Sequence, residues 1–349
     1  MRIGRTILTL AVVVVTAAPA EATLLTTIPA PTRDGRARLV IHAAGDVNLD
    51  PGFTPTLAAG DYGLPWSGME GLFLRDDLTI VNLECDPSER GTLLSTKPFS
   101  FRCPPAALLP MHLAGIDVVS LGNNHSGDYG TAGLLDGRDN TAAAGLNPVG
   151  AGESLAAANQ AALLQVEGWT IAVLGFSAAS GIAYDWPYTA EDYANLRSRW
   201  YATASGPGVA PATVANMTAA VAAAREQADL VVVMLHQGVD NETGLPFPNE
   251  VERAHALIDA GADVVFAHHH HRLLPLETYR NRPIFYGLGN FVWPRTEPIR
   301  DITAVAEVVV SPDGTLTARL IPAIILTSGR PVLVGIPDYQ VRSDRALIR

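Results

Sequence analysis

The chain has 349 residues, a formal charge of −11, and 48% hydrophobic against 17% charged residues. That balance allows a large buried core and excludes a disordered chain. It also lacks the lysine and arginine surplus that displaces counterions from a nucleic acid, so no nucleic-acid partner is expected.

Arg2 and Arg5 precede an apolar run over residues 7–18 and then Ala20-Glu21-Ala22, the small-x-small pattern that signal peptidase cuts. The run is shorter than the roughly 20 apolar residues that span a bilayer. Residues 1–22 are therefore predicted to be a cleaved signal peptide, with a retained anchor as the alternative, followed by an N-terminal extension over 23–36. The protein is expected to be exported: periplasmic, cell-envelope-associated or secreted.

A β-rich segment at 38–43 breaks at Gly45-Asp46, and a second strand at 78–83 ends at Glu84. A helix over 105–114 opens with Pro105, and a short buried strand at 117–121 ends in Gly122-Asn123-Asn124-His125. A helix at 131–144, strands at 162–166 and 170–176, and a helix at 211–227 follow. The apolar strand 230–235 delivers His236; after a helix at 249–260, the strand 263–267 leads into His268-His269-His270-His271. Short strands come next at 273–279, 284–288, 304–310 and 315–321, the last two joined by the hairpin signal Ser311-Pro312-Asp313-Gly314.

The front of the chain reads as βα units and the back as hairpins. This predicts an α/β sandwich with mixed sheets rather than a doubly wound parallel sheet. One domain is expected over 37–322, with an aromatic-rich insertion at 178–207 and a C-terminal extension over 323–349. The insertion holds Tyr184, Trp186, Tyr188, Tyr193, Trp200 and Tyr201 without clean periodicity, which reads as aromatic packing of a long loop, with a lid over substrate as the alternative.

Cys85 and Cys103 are expected to form a disulfide in an exported chain. Alternation along a strand turns Cys85 away from Glu84; the competing reading makes Cys85 a metal ligand.

Oxygen and imidazole donors recur where strands end: Gly45-Asp46, Asn82-Leu83-Glu84, Asn123-Asn124-His125, His236-Gln237-Gly238 and His268 to His271. Strand ends are where α/β sheets build sites, and a mixture of carboxylate, amide and imidazole suits a divalent transition metal. Six of the nine histidines fall in these motifs, whereas His42, His112 and His255 do not and read as structural. In an extended segment His269 and His271 project to one side, and His268 and His270 to the other.

These motifs, together with Gly261 to His271, Ser120 to Gly130 and Tyr286-Gly287-Leu288-Gly289-Asn290-Phe291, resemble the bacterial CapA-type capsule-synthesis proteins, linked to poly-γ-glutamate. That family lies within the calcineurin-like metallophosphatase superfamily. The resemblance implies a four-layer αββα sandwich with two mixed β-sheets. It implies two divalent ions, with manganese, zinc or iron as candidates, held by Asp46, Glu84, Asn124, His236, His269 and His271, with Glu84 bridging. It implies that His125 is the acid for a leaving oxygen, that Asp128 orients His125 or caps a turn, and that Asn290 contacts substrate. By spacing alone, Gly289-Asn290-Phe291 reads as a structural turn.

The sequence departs from the pattern at Asn48, where the superfamily has a metal-binding histidine, and at Glu84, where it has aspartate. Ala267 and His270 replace the usual glycine and proline, and Gln237 the usual tryptophan. The expected activity is metal-dependent hydrolysis of a phosphoester, or of an anionic polymer, in capsule or poly-γ-glutamate synthesis, alongside envelope polymer-synthesis machinery. The alternative is a non-catalytic, metal-containing accessory protein that binds or guides such a polymer.

Overall fold

The computed structural model describes residues 35–94, 99–178, 200–238, 244–294 and 298–335. The expected signal peptide lies outside these residues, as do Tyr184, Trp186, Tyr188 and Tyr193 of the insertion and residues 336–349 of the tail. Among the described residues no helix is long and apolar enough to cross a membrane.

The chain's β-branched runs build two mixed sheets. The first is ordered β16 (Pro331–Leu333), β15 (Leu316–Ile325), β14 (Ile302–Val310), β1 (Leu39–Val47), β2 (Leu78–Leu83), β3 (Val118–Ser120) and β4 (Asn147–Val149), with β13 (Asn290–Val292) paired to the end of β1. β1 to β4 are parallel, whereas β14 to β16 are antiparallel neighbours. The second sheet is ordered β11 (Leu276–Tyr279), β12 (Arg282–Phe285), β10 (Val264–His268), β9 (Leu230–His236), β7 (Trp169–Ser177) and β6 (Ala162–Val166). Its centre is parallel and its edges are closed by antiparallel hairpins. A two-stranded ribbon, β5 (Ala151–Gly152) with β8 (Gly208–Val209), completes the strands.

Alternation along the strands divides the apolar side chains among three layers. Ile41, Ile80, Val118, Val173, Val232, Phe266 and Val308 fill the space between the sheets. The outer face of the first sheet, with Val47, Val81, Leu83 and Val119, is covered by Met111 of α1 (Leu108–Leu113) and Leu134 of α2 (Gly130–Ala143). The outer face of the second, with Leu174, Val233, Leu235 and Val265, is covered by α3 (Leu155–Ala158), by Met217 and Val221 of α4 (Val214–Arg225) and by Leu257 of α5 (Pro248–Asp259). The result is the αββα sandwich, each sheet hiding one face in the shared core and one under helices.

Several boundaries differ from expectation. The first strand does not stop at Gly45-Asp46 but passes through a register shift there and continues to Val47. Gly45 permits this because its backbone is pressed against Gly289, where a Cβ would fall 2.0 Å from the carbonyl oxygen, and Asp46 N donates to that same oxygen at 2.9 Å. The domain does not end at 322: β15 runs to Ile325 with Ile321, Ala323 and Ile325 buried, and β16 then closes the sheet edge. The turn between them places Gly329 at φ +77° and is closed by Leu326 N to Arg330 O at 2.9 Å. The helix expected from 211 begins at Val214 because Thr213 caps it, its side chain accepting from Asn216 N.

Cys85 and Cys103 are joined in a disulfide with Cα atoms 5.9 Å apart. Trp200 is buried against Gly127 and donates from Nε1 to Asn123 O at 3.1 Å, so this end of the insertion packs beneath a site loop.

Candidate metal centre

The carboxyl ends of strands from both sheets converge at one edge of the sandwich. β1 delivers Asp46, β2 delivers Asn82 and then Glu84, and β3 leads into Asn123, Asn124 and His125. From the second sheet β9 ends at His236 and β10 at His268, directly opposite one another in register. Asn290 opens β13 opposite Asp46.

Two groups of potential ligand atoms result, Glu84 with His236 and His269, and Asp46 with Glu84 and His271; within each group the atoms lie within 4.8 Å of one another. Glu84 belongs to both, as a bridging carboxylate must. Its Oε1 lies 3.6 Å from His236 Nε2 and 3.9 Å from His125 Nε2. Asn124 Oδ1 is 2.6 Å from His236 Nε2, and His269 Nδ1 is 2.9 Å from that same nitrogen. Asp46 Oδ2 lies 3.3 Å from His271 Nδ1. All six residues named from the sequence as ligands are thus gathered in one cluster.

Two asparagines to which the sequence reading gave no role organise the cluster. Asn82 Nδ2 donates to Asp46 Oδ1 at 2.8 Å and lies 3.3 Å from His236 Nδ1, while its Oδ1 accepts from Asn123 Nδ2 at 3.1 Å. Asn123 in turn donates to Leu83 O and accepts from His125 N, so the β3 loop is tied to the end of β2. The available signal was parity: Asn82 and Glu84 stand two apart, on one side of a strand.

His125 is oriented from behind. Its Nδ1 lies 2.7 Å from Asp128 Oδ2, which also accepts from Phe101 N at 2.7 Å, and Phe101 packs on the imidazole with ring centroids 4.3 Å apart. An acceptor at Nδ1 places the proton there and directs Nε2 toward Glu84. Asn290 Oδ1 sits 2.8 Å from His271 Nδ1. The turn expected at 289–291 is therefore a short strand that brings its amide onto a ligand histidine, and Trp293 covers the His271 ring at 4.6 Å.

The histidine run separates as expected, but not by extended alternation. His269 and His271 have φ of 98° and 54°, and this left-handed backbone turns both toward the cluster. His268 Nε2 bonds Ala44 O at 3.1 Å, while His270 Nε2 lies 3.3 Å from Glu250 Oε2, with both of those side chains 1% exposed. His42 is held between Asp76 and Glu307 within the first sheet, and His255 stacks on Tyr279, both away from the cluster.

Burial, then crowding by neighbouring imidazoles, holds His236 and His269 well below the ordinary histidine value. Burial alone raises the Asp46 carboxyl, but its hydrogen bond with His271 and the nearby His268 hold it below the usual carboxylate range. Neutral imidazoles beside ionised carboxylate are the forms that bind a metal. His269 Nε2 is buried with no hydrogen-bond partner among the described residues, which suits a ligand atom. The residues present therefore fit divalent ions. Asn48 is buried beyond Asp46, but its Oδ1 already accepts from Asp50 N at 2.9 Å, which leaves an amide NH2 rather than an oxygen at that position.

A four-layer sandwich with carboxylate, amide and imidazole donors at the shared strand ends defines a protein built around a candidate metal centre. The chain belongs to the family described as bacterial capsule synthesis protein PGA_cap, whose pattern matches residues 40–295. It is 38% identical over 186 residues to the PGA biosynthesis protein CapA of Bacillus subtilis, covering 51% of this chain and 44% of that one. It is 33% identical over 243 residues to a probable polyglutamine synthesis accessory protein of Mycobacterium tuberculosis, covering 66% and 60%. The capsule biosynthesis protein CapA of Bacillus anthracis is 32% identical over 236 residues, covering 65% and 53%. The matched region is thus roughly half the length of these relatives.

Proposed function

We propose that this chain is an exported, metal-dependent hydrolase of the phosphoesterase type that serves capsule or poly-γ-glutamate synthesis at the cell envelope. The observation that carries the reading is Glu84, a buried carboxylate common to two ligand groups drawn from both sheets. Two divalent ions bound there supply Lewis-acid charge that activates water and offsets negative charge on an attacked phosphoryl or acyl group. The chain's own residues do the rest. Asp128 accepts from His125 Nδ1 and so supports the imidazolium, whose Nε2–H would donate to a leaving oxygen. Asn82 and Asn123 hold the strand ends in place, and Asn290 steadies His271 rather than facing substrate directly. Phe101 and Trp293, edge-to-face at 5.9 Å, form an apolar wall beside His125 and His271 that limits water on that side. The substrate is an anionic polymer or phosphoester met locally by the bound ions, since the surface is acidic overall.

The test is to purify the mature chain, count its metals, and assay a generic phosphodiester and monoester with manganese or zinc, with His125→Ala and His236→Ala as controls. Bound metal with turnover that fails in both variants supports the reading; absence of metal under all loading conditions overturns it. A second reading, a metal-containing accessory protein that guides the polymer without cleaving it, is favoured by Asn48, whose engaged oxygen weakens one ion position. Metal without turnover, unchanged by His125→Ala, selects it.

A further inference from the structure

The loop that carries two of the ligand histidines is anchored by the residue between them. His269 and His271 both hold left-handed backbone, at φ 98° and 54°, a conformation that branched and bulky side chains avoid unless the surroundings impose it. His270 points the other way, into the body of the domain, where its Nε2 lies 3.3 Å from Glu250 Oε2.

Glu250 is a rigid partner. It sits in the first turn of α5, its Oε2 accepts from Phe247 N at 2.9 Å, and it is 1% exposed. The backbone after His236 packs directly on the pair: a Cβ at Gly238 would fall 2.2 Å from His270 Cε1 and 2.3 Å from Glu250 Oε1. Gln237 links the same parts, with its N to His268 O at 3.3 Å and its Nε2 to Glu250 O at 3.3 Å. The segment after β9, which follows ligand His236, and the loop after β10, which carries ligands His269 and His271, therefore share one buried support.

We propose that the Glu250–His270 pair is a positioning device that holds His269 and His271 in their strained, ligand-presenting conformation. The proposal rests on the metal-centre reading above. The pair acts through the backbone that links the two ligands. Relaxation of residues 269 and 271 out of the left-handed region would redirect both ligand imidazoles relative to the centre.

The experiment compares the wild-type chain with His270→Ala, Glu250→Gln and His270→Gln, the last retaining a polar side chain toward Glu250. Two quantities are read: amide hydrogen exchange at 268–271 in metal-free protein, and the affinity for manganese and zinc by calorimetry with metal counted. In His270→Ala, exchange is expected to rise at 268–271 while other strands stay protected, and metal affinity to fall about 10- to 100-fold, the usual effect of losing an outer support of a ligand. Glu250→Gln shifts both readouts the same way, and His270→Gln recovers part of the affinity. Should His270→Ala fail to fold, Glu250→Gln carries the comparison.

Unchanged exchange at 268–271, or unchanged metal affinity with a loosened loop, overturns the proposal. A global rise in exchange with a matching loss of thermal stability overturns it as well, because that describes a structural pair. Wild-type protein that takes no metal overturns the preceding reading instead, and local exchange still decides whether the pair pins the loop.

Discussion

His269 Nδ1 lies 2.9 Å from His236 Nε2, two buried imidazoles from different strands meeting nitrogen to nitrogen beside Glu84. Such a contact tolerates at most one proton between the rings, and a cation held by the cluster would relieve their crowding.

Metal is therefore expected to stabilise the fold. At a free concentration 100 times the dissociation constant, a single ion adds about 2.7 kcal/mol, which for a domain of this size raises Tm by roughly 4 °C. Differential scanning calorimetry with manganese or zinc, against the same protein in chelator, measures the difference. In His236→Ala the increment should largely vanish.

Replacing His125, the proposed proton donor, should separate binding from chemistry. With His125→Ala, phosphoester turnover is expected to fall about 100- to 10,000-fold while bound metal per chain stays unchanged. Asp128→Asn leaves an acceptor for Phe101 N but loses the charge behind His125, so it should give a smaller fall and a shifted pH–rate profile. Steady-state kinetics with metal analysis on the same samples checks both.

The disulfide closes a loop of 18 residues next to the bridging carboxylate. Removing it, as Cys85→Ser with Cys103→Ser, should cost about 3 kcal/mol in urea unfolding. Because Asp86 N bonds Phe101 O and Cys103 N bonds Asp86 O, the same loss should loosen Phe101 against His125. Equal unfolding midpoints in oxidised and double-serine protein would show that the backbone bonds alone hold the loop.

His42 gives a pH signature remote from the ligands. Burial lowers its pKa, but hydrogen bonds to Asp76 and Glu307, the latter also bound by Arg319, outweigh that and raise it above 6.5. The folded state thus favours the protonated ring. Its contribution is fully present below about pH 6.5, the unfolded value, and is lost as pH rises through the folded value. The stability difference between wild type and His42→Gln, followed by urea midpoint from pH 6 to 9, should shrink with rising pH.

Much of this site was legible because strand ends announce themselves: apolar runs stop abruptly at Glu84, at Asn123-Asn124-His125 and at His236. The family resemblance then supplied the ligand set, and Cys85 and Cys103 met as expected. Other features had no local signature. β13 is three residues long and pairs with β1 across a glycine–glycine contact, so Asn290 reads as a turn until the tertiary fold places it against His271. The turning of His269 and His271 depends on positive φ, which no period-two pattern encodes. Glu250 looks like an ordinary helix-start acid, and only packing turns it toward His270. β16, only three residues long, is too short to show a strand period and so reads as part of a C-terminal extension.

The ligand groups straddle two sheets whose shared core is apolar. Such a core has little directional preference, so alignment of the sheets along the strand axis is not set by apolar contact alone. A slide of one sheet by a single residue, about 3.3 Å, would part Glu84 from His236 and Asp46 from His271. The centre thus works as a vernier, and metal content or turnover becomes a reporter of how truly the two halves of the sandwich are aligned.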